Sequence, residues 1–321
     1  MSDQKKHKPL TRATFKLLDA SAVIYGEHAT KQDAAFIARE LIQATLPHKS
    51  PGNVPVWTRT NGNLTLIVQQ GHDRTGKPYG YPYGTVPRLL LFWMTTEALR
   101  NKAKENPHRL HLGKSLKEFM LEIGLNPNNG SRGAKRSDAR RLNDQMHRLF
   151  NATISFEADG ERDGRGVTAR RNMLVADDVV FWWDVKAPQQ GTLWDNYIVL
   201  SSRFYEAITA APVPVDVRAL RALKSSALAL DLYSWLTYEA YRAHKSGKPR
   251  FETWEQLQGH MGGEYSRIDN FRTKAKAALR KIQVVYPLLK LGDRQGGITV
   301  LPEGLPALQP RQSSTIEGKS L

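Results

Sequence analysis

The feature that most constrains this chain is a repeat. Trp93-Met94-Thr95-Thr96-Glu97-Ala98-Leu99-Arg100 returns 142 positions later as Trp235-Leu236-Thr237-Tyr238-Glu239-Ala240-Tyr241-Arg242, with five of eight positions identical. The Met94/Leu236 exchange is near-isosteric in a core. Farther on, an offset of 133 sets Leu142, Met146 and Leu149 on Ala275, Leu279 and Ile282, so the apolar phase is kept. Shorter loops in the second copy absorb the difference. A chain that repeats letters and phase in this way is expected to build one supersecondary unit twice.

The elements around the repeat agree. Residues 88–105 read as a buried helix, and 115–125 as a shorter amphipathic one opened by Ser115, with Glu118 completing a capping box. A loop over 126–136 leads to a third helix, 137–150. Strands come next at 152–158 and 167–175 around a Gly-rich turn, then at 179–185 and 197–201. The second half runs helix 226–244, helix 253–262, helix 266–283, then a hairpin of 284–291 and 297–301. Three helices and then a hairpin is the order of a winged helix–turn–helix. The expected fold is therefore α+β, with tandem winged-helix domains related by internal duplication. The expected division is an N-terminal extension, partly helical, over 1–60, a first winged-helix domain over 61–205, a second over 206–302 and a flexible tail over 303–321. Within the extension two helical patterns fit residues 11–44. The second opens on Thr30 with Asp33 and buries Ala34, Ile37, Leu41 and Ala44. A strand is expected over 63–70, and 73–87 is turn-rich and Tyr-rich.

Charge narrows the partner. With 47 Lys and Arg against 31 Asp and Glu, the chain carries a formal +16 and a pI near 9.9. That balance calls for an anionic partner, nucleic acid or an anionic membrane. The longest apolar run, residues 89–94, is far below a membrane span, and the N-terminus has no apolar segment behind its charges. There is no Cys, which excludes thiol chemistry and Cys-ligated zinc and agrees with a reducing, cytoplasmic location.

The charge is concentrated on the third helices. Residues 270–283 hold five cations and no acid. At about 100° per residue, Phe271, Ala275, Ala278, Leu279 and Ile282 form a core-facing stripe. Arg272, Lys276 and Arg280 line one flank; Lys274 and Lys281, joined by Arg267, line the other. In the first copy Leu142, Met146, Leu149 and Phe150 form the dry face, with Arg136, Arg140 and His147 on one flank and Arg141 and Arg148 on the other. A solvated helix face normally interleaves acids with bases at i, i+4. Like charge packed this closely is best relieved by phosphates. A membrane-surface helix would show bulkier apolar residues than this Ala-rich stripe. In helix–turn–helix proteins the second helix of the motif enters the major groove. Arg136, Arg140, Arg267 and Arg272, near the helix starts, are the expected base contacts, and Arg148, Lys274, Lys276 and Lys281 the expected phosphate contacts. Arg162 and Arg165 in the first wing and Arg294 in the second could touch backbone or minor groove.

Catalytic patterns are weak. Gly113-Lys114-Ser115 and Gly318-Lys319-Ser320 lack the upstream glycine of a phosphate-binding loop, with His108 and Ser313 in that place. His108 and His111 have no His-rich partner, and Asp177-Asp178 precedes an apolar strand. No catalytic residue, metal or cofactor is expected, so the chain reads as a binding protein and not an enzyme.

Two stretches carry a family resemblance. Tyr79-Gly80-Tyr81-Pro82-Tyr83-Gly84-Thr85-Val86-Pro87 leads into the helix through Ala98, and Val213-Pro214-Val215-Asp216-Val217-Arg218-Ala219-Leu220 runs on to Arg242. Both resemble plasmid-encoded RepA-type replication initiators, over roughly residues 60–300. Ser226 stands where the pattern would have proline opening the helix, and serine caps equally well. The resemblance implies a DNA-binding protein without catalysis that recognises direct repeats (iterons) at a plasmid origin. It further implies help in opening an adjacent A·T-rich segment, recruitment of the host initiator and replicative helicase, and a monomer–dimer equilibrium. A winged-helix transcriptional repressor is the alternative, since both need specific DNA binding alone.

Overall fold

The fold is that of a computed structural model, and residues 11–128, 137–162, 165–261 and 264–308 are described. The chain is a mixture of helices and small antiparallel sheets. It opens with α1 (Arg12–Gly26), capped by the Thr11 hydroxyl, which accepts from the Thr14 N–H. The capping box at Thr30 forms, but on a 3-10 turn (Lys31–Asp33) and not on a long helix. The turn leads into β1 (Ala34–Ala38) and the short α2 (Arg39–Gln43), correcting the helix expected over 30–44. Tertiary pairing overrides helical phase here. β1 pairs antiparallel with a strand almost 180 residues away, and the Phe36 N–H donates to the Thr96 hydroxyl at 2.9 Å.

β2 (Trp57–Asn61) and β3 (Leu64–Gln69) form a hairpin before α3 (Thr85–Arg100). Then come β4 (Arg109–His111), α4 (Leu116–Glu122) and α5 (Asp138–Phe150). Ser115 caps α4, but the Glu118 carboxylate accepts from the Lys114 N–H, not from Ser115. β5 (Thr153–Arg162) and β6 (Arg165–Leu174) are the long hairpin, and they extend the β2–β3 hairpin into a four-stranded sheet. β7 (Ala176–Val180) ends five residues earlier than expected and holds Asp177 and Asp178 within a strand. β8 (Tyr197–Leu200) lies between β7 and β4. α6 (Ser202–Ala210) leads to β9 (Pro212–Asp216), the partner of β1, and to α7 (Val217–Leu223).

α8 (Ala227–Ser246) is capped by Ser226, whose hydroxyl accepts from the Ala229 N–H. β10 (Arg250–Thr253), α9 (Trp254–His260) and α10 (Ile268–Val285) come next, with a full capping box of Thr253 and Gln256 on α9. β11 (Leu291–Gly292) and β12 (Gly297–Val300) close a three-stranded sheet in the order β10-β12-β11. The strand expected over 284–291 is thus mostly helix end and turn, because α10 runs on to Val285. The order helix, strand, helix, helix, strand, strand occurs from α3 to β6 and again from α8 to β12. Residues 301–305 fold back onto 286–290. The Leu301 and Leu305 N–H groups donate to Lys290 and Leu288, and the Tyr286 hydroxyl donates to the Leu305 carbonyl.

α3 and α8, which carry the repeated letters, are buried along almost their whole length, as helices apolar all round must be. Between them sits one charged cluster. Arg88 of α3 donates from Nε and Nη2 to the two oxygens of Asp231 of α8, at 2.6 and 2.7 Å. Its remaining N–H groups reach the carbonyls of Leu46, Pro47 and Gly84. His48 completes the set, Nε2 lying 2.8 Å from Asp231. Arg88 and Asp231 are 4% and 7% exposed. Such a pair is tolerable because every donor direction is used. Burial alone would raise the Asp231 carboxyl, but the Arg88 charge and the bonds from His48 and Arg88 outweigh it and hold it below the ordinary range. His48 is held below the ordinary imidazole range, first by burial and then by the Arg88 charge, against the pull of its bond to Asp231. It is therefore a neutral donor.

Arg88→Met should leave Asp231 buried without a counter-charge and cost about 3–5 kcal/mol in urea unfolding. The further change Asp231→Leu should restore part of that loss. The proton count gives a second test. The unfolded chain takes up a proton on His48 near pH 6.5 that the native chain refuses, so stability falls as pH drops below that value. One proton sets a limit of ~1.4 kcal/mol per pH unit. Urea titrations between about pH 7 and pH 5 should show stability falling with pH in the native sequence, and His48→Gln should reduce the slope, leaving the share that His147 contributes. The Asp231 contribution disappears only in stronger acid, below about pH 3.9.

Candidate nucleic-acid interface

α10 is built as a docked helix with a free cationic side. Phe271, Ala275, Ala278, Ile282 and Val285 are buried against α8 and α9. The alanines let the neighbouring backbones approach, and Phe271 sets its ring edge-on to Tyr265 at 5.4 Å. Lys274, Lys276, Arg280 and Lys281 are all exposed. Lys276 Nζ lies 6.0 Å from the Trp254 ring centroid, which steers its stem along α9 without removing its charge. Arg267 is the N-cap residue, exposed, 3.8 Å from Asp269. Arg272 is half-buried and pairs with the same Asp269 at 3.1 Å, so one carboxylate in the first turn gathers both arginines. α1 packs beside α10, and the Ser21 hydroxyl donates to the Val284 carbonyl. Thr11 and Thr14, at the start of α1, share a cleft with Arg280 and Lys281. The turn between β11 and β12 carries Arg294, whose guanidinium sits 3.7 Å from the Phe251 ring centroid. That stacking fixes its stem on β10.

α5 is different. Its dry face is as expected: Leu142, Met146, Leu149 and Phe150 are buried. Its other side is partly covered by the chain itself. The tyrosine-rich stretch before α3 lies across it. Tyr79 stacks on His147 at 5.6 Å, and Phe181 meets the same ring edge-on at 5.7 Å. Burial accordingly holds His147 below the ordinary imidazole range, although Asp144 pulls the other way. The Tyr83 N–H donates to Gln145 Oε1. Arg148 donates to the Tyr81 carbonyl at 3.3 Å and lies over the Tyr83 ring at 5.4 Å. Gly80, with φ of 86°, is close enough that a Cβ there would stand 2.5 Å from Arg148 Nη1. Arg140 is half-buried, and Arg141 is exposed and paired with Asp138 at 3.1 Å. Arg136 lies outside the described residues. Arg162 and Arg165 are the last paired positions of the β5–β6 hairpin, and their side chains are outside the described residues.

The structure thus gathers Arg267, Arg272, Lys274, Lys276, Arg280 and Lys281 on one helix, and ties Arg148 into the packing of another. Counting cations alone missed Asn270 and Thr273, both exposed on α10, whose side chains can hydrogen-bond base edges. Their signal was present, as polar positions opposite the Phe271 stripe. Among the described residues no group of His, Asp and Glu is placed to hold a metal ion. His108 stacks on Tyr205 at 4.3 Å, while His111 lies 3.0 Å from Asp195. The Glu118 carboxylate occupies the N-terminus of α4, where the Gly113-Lys114-Ser115 triplet would have to receive a phosphate. Among the described residues no helix is long and apolar enough to cross a membrane.

A family model described as plasmid encoded RepA protein matches residues 81–256, more than half of the chain. The match runs from the tyrosine-rich stretch through α8 into α9, and stops short of α10. No curated protein and no solved structure matches the chain. The two classes of cation separate in a simple measurement. Arg148→Ala should lower stability by about 1–2 kcal/mol, through lost packing and two unmet partners, whereas Lys274→Ala should stay within about 0.5 kcal/mol in the same urea titration.

Proposed function

Because this chain belongs to the family of plasmid-encoded RepA proteins, we propose that it is a replication initiator that grips duplex DNA mainly through α10. The observation that carries this reading is the outer face of α10. Four exposed cations, with Arg267 at the cap and Asn270 and Thr273 among them, stand on a helix fixed by a dry stripe. A helix with that division suits a major groove, with charge for phosphates and amide and hydroxyl groups for base edges. Arg294, on the turn after β11, is the corresponding wing contact.

On this reading residues 61–205 and 206–302 are two winged-helix units, with 1–60 as an extension whose described part, from Thr11 on, packs onto both. The repeated element order supports this. α5 contributes less than α10. Arg140 and Arg141 can still meet phosphates, and Arg136, Arg162 and Arg165 remain proposed contacts. The first unit is then the natural place for a dimer contact. The target is direct repeats in a plasmid origin, beside an A·T-rich segment that opens, with the host initiator and replicative helicase as partners. The protein acts by binding, without a cofactor or a catalytic step, in the bacterial cytoplasm.

DNase footprinting over the origin of the plasmid that carries the gene should show protected tandem repeats. Uniform cutting at moderate salt would sink the reading. Lys274→Ala or Lys276→Ala should weaken binding to every sequence alike and lower the slope of log K against log salt by about 0.9 each. Asn270→Ala should instead relax preference at one base pair by ~1–3 kcal/mol. Arg148→Ala should leave the salt slope unchanged.

A further inference from the structure

A wide groove lies apart from α10. It holds about 1210 Å³ and runs between the second half of α8, strand β9 and residues 305–308. One wall is apolar, made by Val213, Pro214, Leu305 and Leu308. It is a fixed wall, because Leu305 is held at both N–H and carbonyl by Leu288 and the Tyr286 hydroxyl. The other wall is aromatic and cationic. Arg242 lies over Tyr238 at 5.4 Å, Lys245 over Tyr241 at 5.9 Å, and Arg39 and Arg250 also line the groove. The carboxylates that answer these four cations are Glu239, shared by Arg242 and Arg250, and Glu40, paired with Arg39. Four positive groups against two negative ones leave the groove a net cation.

None of the groove's lining residues belongs to α10 or to the turn that carries Arg294. A ligand in the groove and a duplex on α10 therefore rest on different residues.

We propose that this groove is the docking site for an acidic amphipathic helix of a protein partner. Its apolar residues would cover the Val213, Pro214 and Leu305 wall, and its carboxylates would face Arg39, Lys245 and the free sides of Arg242 and Arg250. Charge complementarity selects the acid, and the apolar wall selects the amphipathic character. Strand addition is disfavoured, because Pro212 and Pro214 remove two N–H groups from β9. A single nucleic-acid strand would find rings and cations on one wall and nothing for its phosphates on the other.

The test is a library of random peptides, each about four helical turns long, displayed on phage and selected on the full chain. Enriched sequences should combine Asp or Glu with Leu, Ile, Phe or Met. A synthetic copy of the strongest should bind at least about tenfold more weakly to the Tyr241→Ser, Lys245→Glu double variant. Both positions are exposed and support no buried group, and an unchanged urea midpoint checks that the variant is folded. A copy with its acids changed to lysine should not bind. Enriched peptides without acid, binding untouched by the double variant, or displacement by a short oligo-dT strand at comparable concentration would each overturn the proposal. Origin footprints of the same variant should match those of the parent. Loss of the parent's own footprint would count against the DNA reading alone.

Discussion

Arg88, Asp231 and His48 hold together what the sequence sets far apart. Arg88 begins one copy of the repeated helix and Asp231 lies early in the other. The bond between them crosses from one copy to the other. The carbonyls of Leu46 and Pro47 and the ring of His48 bring a third piece of chain to the same point. That piece is the segment that leaves β1 and α2. It is tied further by the Thr45 N–H and hydroxyl, both donating to the His260 carbonyl, and by the Arg39 N–H on Ala211. The segment from β1 to His48 is thus no loose arm. It touches both α3 and α8, and the buried ion cluster fixes where it crosses. An apolar contact could hold three segments together as strongly. A guanidinium with five used N–H directions also dictates their relative register, because each acceptor must sit at its own angle.

The same order of elements ends each time in a third helix, α5 and then α10, and the two differ. Both keep the dry stripe, because without it neither unit has a core. α5 has lost its freedom on the outer side to Tyr79, Tyr83 and Phe181, and its Arg148 serves a carbonyl. α10 is free there and carries no acid beyond its first turn. His147 and Arg280 match in the sequence alignment of the two helices, yet one ring is stacked on Tyr79 and edge-on to Phe181 and the other side chain is exposed. The difference comes from the stretch before α3. The stretch before α8 is α7, which packs against α1, α10 and α8 but holds no aromatic residue to lay across the cations of α10.

Legibility in the sequence tracked the range of the interaction. The repeated helices, the caps at Ser115 and Ser226 and the stripe of α10 were readable, because each depends on neighbours within one or two turns. Ala34–Ala38 was misread because its alanines and isoleucine fit a helix or a strand equally well. The deciding partner, Pro212–Asp216, is nearly 180 residues away. Phe181 and Trp183 sit in a stretch with every mark of a strand, but the strand ends at Val180, and their rings stack on each other, Trp183 on Phe119 and Phe181 tilted against Phe150. The basic helices were found by composition, yet composition could not say which arginines were already engaged. Arg148 and Arg294 look alike as letters. One donates to a carbonyl and the other lies on a ring with its charge open to solvent.

The unequal helices also bear on how the chain can be stable at such a charge. Close cations on α10 repel each other and weaken that helix in isolation. Its place in the fold depends on the buried stripe from Phe271 to Val285 and on α1, which lies against it. The segment behind α1 is in turn held by β1 on β9 and by the cluster at Asp231. The strain of gathering like charge on one surface is therefore offset through contacts that begin at the opposite end of the chain. Where phosphates meet that surface the repulsion is relieved directly, so binding and folding of α10 favour each other.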